Sequence, residues 1–140
     1  MSTRFGALLM LLSSLAWSQD KGARTFQLEL PEGWKSAKAL VLVFQDVEVP
    51  AGRGVVFRLF PPGAGAAENL GALAIPAKSP TAKGIQQFPK LEMNLSDVFR
   101  RWLEAQNGSR VSITVKPYAG LREAPDLIWQ VKDLHLQLRN

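Results

Sequence analysis

The stretch VLVFQDVEVPAGRGVVFRLFPP, Val41–Pro62, constrains the fold more than any other part of the chain, because it sets two β-rich runs on either side of Pro-Ala-Gly-Arg-Gly. From Ala39 the apolar residues run together as ALVLVF, a pattern that predicts burial on both faces and hence a central strand. The run then alternates with Asp46 and Glu48 as far as Val49, as a strand does when it emerges into solvent. Pro50–Gly54 supplies two glycines able to take positive φ, and Val55–Phe60 resumes the apolar pattern. The spacing predicts a hairpin.

The remaining chain reads as further short strands. Thr25–Leu30 alternates Phe26, Leu28 and Leu30 against Thr25, Gln27 and Glu29, and Pro31-Glu32-Gly33 ends it. Asn69–Ile75 is a small-residue strand; Leu91, Met93 and Leu95 mark another, and Val111, Ile113 and Val115 a third. Pro61–Ala67, Ala77–Gln87 and Pro117–Pro125 read as loops or exposed connections. Ser96 or Asp97 is placed to cap a helix at about 97–106, with Val98, Phe99, Trp102 and Leu103 on one face, Arg100, Arg101 and Glu104 opposite, and Asn107-Gly108 as its stop. On that face Trp102 is expected to be buried. In the closing segment Leu134, Leu136 and Leu138 share one parity and Val131 the other, which predicts a bulge near Lys132-Asp133. The fold class expected is all-β: an antiparallel β-sandwich of six to seven short strands with one helix.

The N-terminal residues carry Arg4 ahead of the apolar run Ala7–Trp17 and the small residues Ala16 and Ser18 around Trp17, the pattern of a signal peptide over 1–18. The run falls short of the ~20 apolar residues that span a bilayer, so no stable membrane insertion is expected once it is removed. The expectation is a secreted or periplasmic protein with a single β-sandwich domain over 19–140. The chain has no cysteine, so its stability rests on packing rather than on disulfides. The formal charge of +5 arises from scattered bases, with Arg100-Arg101 an adjacent pair. A nucleic-acid surface would cluster them with stacking aromatics, so no nucleic-acid partner is expected.

The side chains present exclude much chemistry. His135 is the single histidine in the sequence, which leaves zinc sites, copper centres and Ser-His-Asp triads without necessary parts. His135 lies between two inward leucines and is expected to face away from the core. Met93 is the one methionine left after signal removal, too few to carry cuprous ion. Asp46 and Glu48 share a strand face and could do acid-base work, yet an ordinary solvated face has the same spacing. Trp34 and Trp129 could form a sugar-stacking platform, although aromatics of a sandwich more often sit in its core. Asn94-Leu95-Ser96 and Asn107-Gly108-Ser109 match the glycosylation sequon, a frequent chance occurrence. The reading is therefore a protein that is not an enzyme, with no catalytic, cofactor-binding or metal residues.

In order along the chain, the blocks VLVFQDVEVP, GVVFRLFPP, ENLGALAIP, LEMNLSDVFRRWL, SRVSITVKPYAG and QVKDLHLQL resemble the C-terminal β-sandwich domain of plant polyphenol oxidases and some bacterial tyrosinases. The resemblance extends over about Phe26 to Leu138 and rests on the order of short apolar motifs. Val131-Lys132-Asp133-Leu134 stands where the family has an Ile-Gly-Gly-Val-like step. The histidine-ligated copper domain has no counterpart here. The resemblance implies a domain that packs over an active-site mouth, shields it and assists its folding, with a separate type 3 copper phenol oxidase as partner. The alternative is an extracellular or envelope module that binds a polymer or another protein.

Overall fold

The computed structural model describes residues 21–52, 54–63, 69–76 and 84–139. The signal peptide expected over 1–18, and much of the connections read at Pro61–Ala67 and Ala77–Gln87, lie outside the described residues. In chain order the elements are β1 (Arg24–Glu29), a 3-10 turn (Trp34–Ser36), β2 (Ala39–Pro50), β3 (Val55–Phe60), β4 (Gly71–Ile75), β5 (Ile85–Asn94), α1 (Asp97–Glu104), β6 (Arg110–Ala119), β7 (Arg122–Glu123) and β8 (Gln130–Arg139).

The ALVLVF run is a central strand, as its pattern predicts. β2 lies between β5 and β8 in a three-stranded antiparallel sheet, and Val41 to Phe44 are all buried. Because both of its edges are taken, β3 cannot pair with it. β3 instead joins the second sheet, ordered β1-β6-β3-β4 with β7 beside β6. The hairpin expected at Pro50–Gly54 is therefore a crossing from one sheet to the other. The two sheets form the all-β sandwich, with eight described strands rather than six or seven. Two stretches read as connections contribute to it: β5 already begins at Ile85, and Pro117–Pro125 contains the end of β6 and the two-residue β7.

The core lies between the sheets. Leu40, Leu42 and Phe44 from one meet Leu28, Phe57, Leu59, Ile113 and Val115 from the other. Each such side chain contributes about 1.5–3 kcal/mol when fully buried. The rings of Phe44 and Phe57 stack across the layer at 6.0 Å. Val41 and Val43 face the other way and are still only 4% and 1% exposed. Over them Arg139 of β8 reaches Glu92 of β5, at 2.6 Å, bridging the outer face of β2.

The three-stranded sheet changes parity part-way along. Inward residues are Leu40, Leu42 and Phe44 and then Val47 and Val49 on β2; Met93 and then Phe88 and Gln86 on β5; Leu136 and Leu134 and then Val131 on β8. The pairing passes from Gln45↔Lys90 to Val47↔Phe88, and from Gln45↔Asp133 to Val47↔Val131, with no extra residue on any strand. The bulge expected near Lys132-Asp133 is thus one edge of a turnover shared by all three strands. Asp46 makes it possible by taking the left-handed conformation (φ 53°), which aspartate tolerates better than most residues. Pro89 sits at the same level on an edge strand, where a missing N–H is tolerated.

One end of the sandwich is closed by α1. Ser96 caps it: its Oγ accepts from the Phe99 N–H at 3.1 Å and donates to the Leu70 carbonyl at 2.8 Å, tying the helix to the entry of β4. Phe99 and Leu103, one turn apart, are fully buried. Trp102 is only half-buried and Val98 is 50% exposed, so the expected four-residue face reduces to one buried pair with the other pair at its rim. Arg100, placed by its spacing on the solvent side, instead donates to the carbonyls of Trp34, Lys35 and Ala37 at 3.3, 3.3 and 2.6 Å. It thereby satisfies the C-terminal carbonyls of the 3-10 turn.

Candidate functional site

Among the described residues no helix covers the opposite end of the sandwich. It is built from the ends of β2 and β6, the starts of β3, β5 and β8, and the turns between them. Ala51 N–H donates to the Gly84 carbonyl at 2.8 Å and so fixes the β2–β3 crossing against the entry of β5. Between these segments lies an apolar cleft of about 270 Å³, walled by Val49, Pro50, Ile85 and Ile128, with Glu48 and Gln130 at its lips.

Trp129 forms the floor of this cleft. It is buried, its ring packs 4.6 Å from Phe57, and its indole N–H donates to the Gly22 carbonyl at 2.8 Å. Gly22 N–H in turn donates to the Leu127 carbonyl at 2.9 Å. Gly22 has φ 67°, and a Cβ there would lie 2.5 Å from the Pro125 carbonyl oxygen, so both conformation and space require glycine. The Arg24 guanidinium lies 5.1 Å from the Trp129 ring centre and 5.0 Å from that of Phe26. The N-terminal described residues therefore brace the floor of the cleft.

Around it stand apolar side chains that a folded surface normally covers. Ile85 is 42% exposed, Ile128 55% and Leu121 90%, the last at the tip of the β6–β7 turn next to Gly120. A second, shallower hollow of about 560 Å³ lies beside that tip, lined by Val55, Val56, Ala74, Ile75 and Ala119. These residues were not singled out by sequence reasoning. In the sequence Leu121 falls within the Pro117–Pro125 loop, and its one signal is an apolar side chain immediately after Gly120 in a polar turn.

The residues that sequence reasoning weighed are placed elsewhere. Trp34 and Trp129 are both buried and lie at opposite ends of the sandwich, so they form no stacking platform. Asp46 and Glu48 both face outward and line a groove with Gln87, Phe88 and Pro89; Gln87 donates to Glu48 at 3.3 Å. His135 faces solvent on the outer side of its sheet, its Nδ1 2.6 Å from an Asp133 carboxylate oxygen. Among the described residues no three His, Asp or Glu side chains converge where they could hold a metal, and no helix is long and apolar enough to cross a membrane.

No family model matches the sequence, and no curated protein matches it. Among solved structures the fold is similar to part of a latent aurone synthase, a polyphenol oxidase, from natural source: TM-score 0.57 and 16% identity, over 84% of this chain and 24% of the other. The recombinantly expressed form of that enzyme gives the same values. A latent apple tyrosinase gives a TM-score of 0.54 at 15% identity, over 85% of this chain and 26% of the other. The chain thus spans about a quarter of the length of the structures it matches, and what it shares with that quarter is the sandwich fold. The family resemblance read from the ordered apolar blocks therefore agrees with the three-dimensional comparison.

Proposed function

We propose that the chain is an exported, non-catalytic accessory module that docks onto a partner protein through the helix-free end of its sandwich, and that the partner is a type 3 copper phenol oxidase whose active-site mouth it masks or whose folding it assists. The observation that carries this reading is the exposed apolar end itself. Leu121, Ile128 and Ile85 stand around an apolar cleft, a surface suited to burial against another protein, in a fold that resembles part of latent polyphenol oxidases. A polymer-binding module would instead call for an exposed aromatic groove, and Trp34 and Trp129 are buried.

The test is phenol oxidation by a tyrosinase from the same source, measured against increasing amounts of the protein. Masking is expected to lower the activity, and the pair Leu121→Asp and Ile128→Asp to relieve the inhibition while leaving the unfolding midpoint unchanged. Folding assistance would appear as a higher yield of copper-loaded enzyme on coexpression. If neither activity, yield nor copper content responds to the intact chain, the accessory reading fails.

A further inference from the structure

The exposed edges of the two sheets are not guarded alike. β5 carries Pro89 and Lys90, β8 carries Lys132, Asp133 and Arg139, and β1 begins and ends on Arg24 and Glu29. Proline and charge are the usual means by which an edge strand repels an added strand. β4, with the sequence GALAI, has neither. It pairs with β3 on one side, and among the described residues no strand pairs with its other side. Its outward residues, Ala72 and Ala74, are small and exposed, and Asn69 Oδ1 accepts from the Gly71 N–H at 3.0 Å where the strand begins.

Behind this bare edge lies a cationic pair. Arg58 of β3 is the cross-strand neighbour of both Ala72 on β4 and Lys116 on β6, so all three share the outer face. Like charges placed directly opposite one another destabilise a sheet. The protein holds them there on aromatic rings: the Arg58 guanidinium is 4.9 Å from the Tyr118 ring centre and the Lys116 ammonium 4.8 Å from that of Phe60. Neither has a carboxylate partner among the described residues. Of the other bases on β1 and β6, Arg24 turns inward onto Trp129 and Arg110 is paired with Glu29, so Arg58 and Lys116 are the pair left to set the positive field beside β4.

We propose that the unguarded edge of β4 takes an extended acidic segment of a partner chain as an added strand, whose outward carboxylates reach across Ala72 to Arg58. Main-chain pairing supplies the docking and the charge selects the segment. Strands are spaced about 4.8 Å apart, so Arg58 and a residue on the added strand are two strands, about 10 Å, from one another. The protein already contains an ion pair of this span: Arg139 and Glu92 meet at 2.6 Å across β2. Ala72 stands lower than the valines beneath that bridge and leaves more room. The surface lies on the side of the sandwich, and the inference does not depend on docking through the loop end.

The probes are three terminally blocked octapeptides: an alternating Glu/Val peptide, its Lys/Val counterpart, and a Glu-rich peptide interrupted by prolines. Binding is read by titration and by hydrogen exchange of the β4 amides, with the wild-type protein and with Arg58→Glu, which leaves the core untouched and places a carboxylate opposite Lys116. The Glu/Val peptide is expected to slow exchange within Gly71–Ile75 and to bind Arg58→Glu about tenfold or more weakly, while the Lys/Val peptide gains affinity for the variant. Equal binding of the proline-interrupted peptide would reduce the surface to a simple charge patch and overturn strand addition. The inference also fails if binding leaves β4 exchange unchanged, if Arg58→Glu has no effect, or if β4 is already protected in a concentration-dependent way by a second copy of the chain.

Discussion

At the scale of single residues, three positions hold the structure in ways that depend on backbone geometry. Asp46 takes a left-handed conformation that a β-branched residue resists, so Asp46→Val is expected to destabilise by about 1–2 kcal/mol and Asp46→Gly to be neutral or stabilising. Urea midpoints of the two variants should fall on opposite sides of the wild type, or at least be well separated; equal midpoints would mean that the conformation carries no strain. Gly22→Ala combines positive φ with a clash against Pro125 and is expected to cost about 1–3 kcal/mol, reported by a change in Trp129 fluorescence as its hydrogen-bond partner shifts. Arg100 serves four carbonyls through a planar fork, those of Trp34, Lys35 and Ala37 from one terminal nitrogen and that of Lys38 from the other. Arg100→Lys keeps the charge but not the fork, so it should recover little of the roughly 1.5–3 kcal/mol that Arg100→Ala removes.

At the scale of elements, what could be read from the sequence was whatever depends on local periodicity. The alternation in Thr25–Leu30 and Val111–Val115, the doubly buried run of β2 and the serine cap of α1 all appear where the pattern put them. Pairing is another matter. A turn rich in glycine between two apolar runs has the same composition whether the runs pair or separate into different sheets, and only β5 and β8, far along the chain, decide that β2 has no edge left for β3. The parity change was visible in β8 because its leucines and Val131 disagree, whereas in β2 it hides behind a continuous apolar run. The helix was legible as a helix, but an eight-residue element buries one pair of side chains rather than two. Phe99→Ala is accordingly expected to cost about 3–5 kcal/mol and Trp102→Ala, at the rim, only about 1–2 kcal/mol. Reversal of that order in urea unfolding would mean that Trp102, not Phe99, anchors the helix. The exposed end escaped sequence reasoning because no periodicity marks it: Ile85, Leu121 and Ile128 come from three separate segments.

At the scale of the whole molecule the two ends of the sandwich differ in kind, one sealed by Phe99, Leu103 and Trp34 and the other, among the described residues, apolar and open. Mutations of the buried side chains at the first should lower stability, and mutations of the exposed apolar side chains at the second should not. Leu121→Asp is expected to change the unfolding free energy by less than about 0.5 kcal/mol, since a side chain already in water loses little by becoming polar. A large loss would place Leu121 within the packing of the domain and remove it from the docking surface. The crossing of the chain from β2 to β3 also governs the order of events during synthesis. The apolar, β-prone segment ALVLVF is made before both of its neighbours: Leu42 pairs with Met93 and then with Leu136 in β8. Until β8 emerges, one side of the central strand has no native partner, so the sandwich completes itself only when nearly the entire domain is available, and a nascent chain must be kept from pairing with its neighbours in the meantime.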